Sequence, residues 1–230
     1  MLQKFFVFLS VALGIASVAM AEPREQWSGF YTGVTLNYAS GDSDVLGNRF
    51  TFNQNQALNR VNHAYQGVGG GGFIGWNYRN GNRVFGGEFS LSVADLESQV
   101  VFNGDNDIDQ VEIQWSGDFV GRYGVIFGNT LVYAKGGVSF ARIRNIGGDV
   151  NGGALTLSDA HIQNDLTFGP TLGVGAERFF SKNWLLRLEY SLTDFGNFTQ
   201  FNQDGAPNSQ FYEIDNGPVQ KLSLGVAFQF

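Results

Sequence analysis

Residues 184–195 read WLLRLEYSLTDF. Trp184, Leu186, Leu188, Tyr190 and Leu192 occupy every second position, and Arg187, Glu189, Ser191 and Thr193 stand between them. A period of two marks a β-strand, because successive side chains leave opposite faces of the pleat. One face of this strand is therefore apolar and the other carries an arginine and a glutamate. The last ten residues, KLSLGVAFQF (221–230), repeat the pattern: Leu222, Leu224, Val226, Phe228 and Phe230 alternate with small or polar residues. In water a strand with a bare apolar face invites aggregation. The conflict disappears if that face meets lipid.

Working outward from these two segments gives eight candidate strands: 29–39, 65–78, 83–94, 112–127, 130–144, 165–180, 184–195 and 219–230. Their connectors alternate in length. NGN (80–82), GN (128–129) and SKN (181–183) suit tight hairpins, whereas 40–64, 95–111, 145–164 and 196–218 are long and rich in Asn, Asp, Gln and Gly. A soluble β-sandwich also uses antiparallel strands, but it needs no such alternation and no ten-residue strands throughout. Short turns at one end and long loops at the other predict an all-β fold: an eight-stranded antiparallel transmembrane up-and-down β-barrel. Closure would pair the last strand with the first and leave no open edge.

The N-terminal stretch MLQKFFVFLSVALGIASVAMAEP has one early lysine, an apolar run from Phe5 to about Ala16, and Ala19-Met20-Ala21 as a small-x-small cleavage site. It reads as a secretory signal peptide, residues 1–21, too short in its apolar run for a spanning helix of about 20 residues. The barrel domain is then 22–230. No cysteine is present, so disulfides, thiolate metal sites and a cysteine nucleophile are excluded. A formal charge of −7 and a pI near 4.7 argue against a nucleic-acid partner. Thirty-two glycines and 22 phenylalanines against 14 Lys+Arg suit a barrel wall, where luminal and lipid-facing residues alternate and mask the hydropathy.

WSGFYTGVTLNYA (27–39), FGGEFSL (85–91), GRYGVIFGNTLVYAKGGVSFA (121–141) and the phenylalanine-terminated last strand resemble the opacity-protein-like, OmpA/OmpX-type family of small outer-membrane barrels. They are similar in particular to members described as "porin family" or outer membrane β-barrel domain proteins. The resemblance covers essentially the whole mature chain. It implies localisation in the cell outer membrane, and it implies that Phe230, with Phe228, forms the signal read by the barrel-assembly machinery. It is informative for the fold and poor for the task, since one barrel carries many functions in this family.

Sending each strand's apolar residues to lipid leaves Glu88, Asp118, Glu177 and Glu189 facing inward with Arg122, Lys135, Arg187 and Lys221. Charge on the lipid face costs roughly 2–4 kcal/mol near the midplane, which favours this register. The fifth strand is the least defined, because Gly136 and Gly137 blur its alternation, and a slip of one residue would turn Lys135 to lipid. An eight-stranded barrel is just wide enough for side chains to fill. The eight charges therefore read as a salt-bridge plug, with a narrow charged diffusion pore as the alternative.

Motifs that suggest chemistry fail in context. GVGGGG (67–72) satisfies a dinucleotide fingerprint but lies inside a strand with no helix after it. DNDID (105–109) lacks the glycine and the final glutamate of a calcium loop, with Ser116 at the twelfth position. His63 and His161 are too few for a histidine-based zinc site, and neither has the serine two residues on that barrel deacylases carry. No catalytic residue, metal or cofactor is expected. Trp27, Phe30, Tyr31, Tyr38, Trp76, Tyr78, Trp115, Trp184 and Phe230 read as interfacial girdles. Phe198, Phe201, Phe211 and Tyr212 in the last long connector are the candidate loop contacts. The expectation is a monomeric or weakly oligomeric, non-enzymatic surface protein that supports envelope integrity and presents its loops for adhesion or host contact. Its expected partners are outer-membrane lipid, lipopolysaccharide, the assembly machinery and a host or surface ligand.

Overall fold

The structure is a computed structural model that describes residues 26–47, 59–94, 96–102, 107–151, 154–155, 161–196, 198–201 and 211–230. Residues 1–21, where a signal peptide is expected, and the first part of DNDID, Asp105 and Asn106, lie outside the described residues. The strands are β1 (Gly29–Gly47), β2 (Asn59–Asn80), β3 (Arg83–Ala94), β4 (Leu96–Phe102), β5 (Asp107–Phe127), β6 (Thr130–Asn151), β7 (Ala154–Leu155), β8 (His161–Phe179), β9 (Trp184–Thr193), β10 (Phe198–Phe201), β11 (Phe211–Asn216) and β12 (Val219–Gln229). Eight of them, β1, β2, β3, β5, β6, β8, β9 and β12, pair antiparallel in that order, and β12 closes on β1.

Closure is staggered. A ladder of opposed residues starting at Phe30 runs through Trp76, Gly87, Gly121, Gly136, Leu172, Leu192 and Gln220 and returns to β1 at Ser40, ten residues further on. That stagger is the shear of the barrel, and it goes with strands tilted by roughly 35–45°. Every expected barrel strand is present. Two of the three tight turns place a glycine first, with φ of 62° at Gly81 and 60° at Gly128, a conformation glycine adopts without strain. Such turns match the twist of the strands they join.

The long connectors differ from expectation. Much of 40–64, 95–111, 145–164 and 196–218 is not loop but continued sheet. β1 and β2 stay paired to Gly47↔Asn59, β5 and β6 to Asp107↔Asp149, and β6 and β8 to Gly147↔His161. β4 pairs with β5, and β10 with β11, where Phe201 stands opposite Phe211 and Tyr212 opposite Gln200. Past the band of exposed apolar residues the sequence no longer alternates apolar with polar, so the signal that reveals a strand is lost while the backbone ladder persists. A bulge between Ile113 and Trp115 lies in β5 where it enters this extension.

The two faces of the wall are sharply different. Outward positions carry exposed apolar residues such as Leu36 at 64% and Leu172 at 69% accessibility, in a band that would be anomalous for a protein in water. No helix among the described residues is long and apolar enough to cross a membrane; the crossing is made by strands. Phe30, Tyr38, Trp76, Tyr78 and Trp184 are exposed on this face, as expected of a girdle. Trp27 and Tyr31 are not: both are buried inside. Their nearness to a strand end suggested an interface, but Tyr31 shares the inward parity of Asn37. Trp27 takes φ of 70° and packs edge-on against Phe179 at 4.6 Å beneath the barrel.

Candidate functional site

The lumen is organised in layers along the barrel axis. Nearest the short turns lies an apolar floor of Trp27, Val84, Leu131, Phe179, Leu185 and Ala227, all buried. Above it stand Arg122, Arg187, Glu88 and Glu177. Each arginine contacts both carboxylates: Arg122 reaches Glu88 at 3.1 Å and Glu177 at 2.7 Å, and Arg187 reaches them at 2.7 and 2.5 Å. The result is a closed, alternating ring of four charges contributed by β3, β5, β8 and β9. Buried charge is tolerable only when paired and hydrogen-bonded in this way.

Aromatic side chains complete the ring. The Tyr31 hydroxyl donates to Glu88 at 2.7 Å and accepts from Arg122 at 2.6 Å. Arg122 lies over the Tyr133 ring at 3.9 Å and Arg187 over the Phe73 ring at 3.8 Å, both within cation–π range. Close packing against the wall makes room for these rings. A Cβ at Gly75 would fall on the Tyr31 phenol, and one at Gly175 would meet the Tyr133 ring at 2.5 Å. The Gly67–Gly72 run lies within β2 in the barrel wall, where a Cβ at Gly69 would strike the β3 backbone.

Two further pairs occupy the side nearer the long hairpins. Lys135 binds Glu189 at 2.6 Å, and Tyr133 donates to the other oxygen of that carboxylate at 2.7 Å. Lys221 binds Asp118 at 2.8 Å, and Ser90 and Ser139 both donate to the same carboxylate. The Lys221 side chain is 17% accessible, against 2% for Arg122, Lys135 and Arg187, so the network meets solvent at the end nearer the long hairpins. Ala39, Ala141 and Val219 form a second apolar cluster, with Ala94 and Phe195 packed against it.

The structure brings all eight sequence-predicted charges into the lumen, each with an ion-pair partner. The fifth predicted strand, β6, keeps the register that turns Lys135 inward. Tyr31, Phe73 and Tyr133 were missed as members of the site, although inward parity alone would have marked them. Phe228 and Phe230 pack ring to ring at 5.3 Å, Phe228 also packs on Trp184 at 5.2 Å, and the Phe230 amide donates to the Phe30 carbonyl at 3.0 Å, next to the seam of the barrel. The backbones of Phe198, Phe201, Phe211 and Tyr212 lie in β10 and β11, while their side chains, like those of His63 and His161, fall outside the described part of the structure. Among the described residues no group of three or more His, Asp or Glu gathers in metal-binding geometry.

A closed antiparallel barrel of eight strands, apolar outside and filled with paired charges inside, is the architecture of a small outer-membrane protein. The chain belongs to the outer membrane protein beta-barrel domain family, whose pattern it matches over residues 6–230. It is 28% identical over 225 residues to a 22 kDa outer membrane protein of Rhizobium leguminosarum bv. viciae, covering 93% of this chain and 83% of that one. It is also 28% identical over 223 residues to a 31 kDa outer-membrane immunogenic protein of Brucella melitensis biotype 1, covering 84% and 88%. The fold is similar to that of the outer membrane protein OprG from Pseudomonas aeruginosa, with a TM-score of 0.53 at 12% identity over 88% of this chain and 97% of that one. The protein is thus a small β-barrel of the outer membrane.

Proposed function

We propose that this barrel is a non-enzymatic surface protein whose wall supports the outer membrane and whose extracellular hairpins are its working surface, for adhesion or host contact. The observation that carries this reading is the asymmetry of the strands. On one side they end in tight turns, and on the other they run on as paired ribbons past the apolar band, to Gly47↔Asn59 and Asp107↔Asp149. A ribbon held by its own ladder presents side chains on a firm scaffold, as recognition requires. The relative described as an outer-membrane immunogenic protein supports a role at the cell surface. The connectors 40–64, 95–111, 145–164 and 196–218 carry twelve Asp and Glu against Arg49 and Arg60, which suits a neutral or cationic contact and disfavours a polyanionic one.

The layered lumen favours a plug over a diffusion pore, because a continuous water path would have to pass both the four-charge ring and the apolar floor. In the membrane the barrel is surrounded by lipid and lipopolysaccharide, and Phe230 with Phe228 is the element offered to the assembly machinery. The test is to shorten all four hairpins to tight turns and leave the barrel intact. Loss of cell binding, with or without weakened resistance to detergents and large antibiotics, supports the proposal. Unchanged binding and unchanged envelope integrity in a correctly inserted variant would overturn it.

A further inference from the structure

The lipid-facing wall is not evenly covered. Across β1, β2, β3 and β5 it holds an apolar groove of about 580 Å³, whose walls include Phe30, Ile74, Trp76, Phe89 and Phe119. Its floor is the backbone at Gly87. A Cβ there would find nothing closer than the Val120 carbonyl at 4.0 Å, so the packing of the barrel leaves room for a side chain, and glycine keeps the groove deep. Gly121 stands directly opposite Gly87 on β5 and continues the floor, with the nearest atom to its Cβ at 3.9 Å.

Following β3 toward the short turn, the next outward positions are Phe85 and then Arg83. Phe85 stands opposite both Tyr78 and Tyr123 in the ladders and packs on the Tyr123 ring at 5.1 Å. Arg83 is exposed, and no acidic side chain among the described residues pairs with it. Four residues of strand separate it from Gly87, about 13 Å along a tilted strand. A cation at the water boundary, tyrosines beside it and an apolar channel above it repeat the polarity profile of one lipid molecule. The short turns mark the periplasmic side, so the lipid belongs to the inner leaflet of the outer membrane.

We propose that this wall binds one glycerophospholipid, with an acyl chain in the groove over Gly87 and the anionic phosphate on Arg83. Charge complementarity selects the occupant: Arg83, with no acidic partner among the described residues, offers a guanidinium to an anion at headgroup depth, and the phospholipid phosphate is the one the bilayer supplies. The site is separate from the lumen and from the hairpins, so it neither rests on nor competes with the surface-contact reading.

The test is native mass spectrometry of the full mature protein, refolded in detergent micelles with dioleoylphosphatidylglycerol and then stripped of free lipid by dilution. Wild type is expected to keep one lipid per barrel. Gly87→Leu fills the groove without a backbone clash and should lower retention about tenfold, while Arg83→Ala should lower it several-fold with the heat-dependent gel shift of a folded barrel preserved. Val226→Leu, at an outward position on β12, serves as the control and should bind as wild type does. Retention by both Gly87→Leu and Arg83→Ala at the wild-type level, or none by wild type, would overturn the proposal. Loss in Gly87→Leu with full retention in Arg83→Ala would overturn the phosphate contact. Should Gly87→Leu fail to fold, Trp76→Ala removes one groove wall and must lower retention in its place.

Discussion

Arg187→Met removes the guanidinium that ties both carboxylates of the central ring. In the native barrel Arg187 Nε and Nη2 reach Glu177 at 2.7 and 2.5 Å, and Nη1 and Nη2 reach Glu88 at 2.9 and 2.7 Å. Its side chain is only 2% accessible, so water does not replace the lost donors. Methionine retains most of the volume and can still lie on Phe73, so the loss is electrostatic and not mainly a cavity effect. Two carboxylates are then left to share Arg122. Removing one partner of a buried pair costs roughly 3–5 kcal/mol, and the same magnitude is expected here. Adding Glu177→Gln restores neutrality, so the double variant should be more stable than the sum of the single losses predicts, by roughly 0.5–3 kcal/mol. Urea titration of protein refolded in phospholipid vesicles, followed by tryptophan emission and by gel mobility without boiling, measures each midpoint. A single variant that unfolds at the wild-type midpoint, or a strictly additive double variant, would refute the ring as a coupled unit.

Further outcomes follow from the same geometry. Tyr31→Phe deletes a hydroxyl bonded to Glu88 and Arg122 at 2.7 and 2.6 Å, and should cost about 1.5–3 kcal/mol in the same titration. Gly75→Ala should destabilise by about 1–3 kcal/mol, because its Cβ falls on the Tyr31 phenol, whereas Gly87→Ala should lie within about 0.5 kcal/mol of wild type; equal effects would sink the distinction between the two glycines. Wild-type protein in a planar bilayer should give no discrete conductance steps, and Glu88→Ala and Lys221→Ala should lower the unfolding midpoint without opening a channel. Steps in the wild type would restore the pore reading. Phe230→Ala should reduce the folded fraction reaching the outer membrane in cells more than it reduces refolding in detergent, and equal yields in cells would remove its role as an assembly signal.

The luminal charges were legible because each sits at the wrong parity for lipid. Glu189 alternates with Leu188 and Tyr190, and a charge turned outward there would cost kilocalories, so parity alone sends it inward. Tyr31 shows how the same rule can be overridden by a weaker one. Its position near a strand end suggested a girdle residue, yet its parity placed it inside, where its hydroxyl joins the ring. The hairpin ribbons were illegible for the opposite reason. Phe201 and Phe211 are cross-strand partners, but the sequence around them carries no sustained period-two alternation of apolar and polar residues, so the pairing has no local signal.

Strand count, the lipid-facing side of each strand and the end with the long connectors could all be read from the chain alone. These depend on alternation and on turn residues, which are local properties of the chain. Which charges meet is set by the closed barrel. Glu88 and Arg187 are 99 residues apart, and they bond because a ten-residue stagger around a closed barrel carries β3 and β9 to the same depth across the lumen. Partnership inside a barrel is a property of closure, and closure involves all eight strands at once, so no local pattern can encode it.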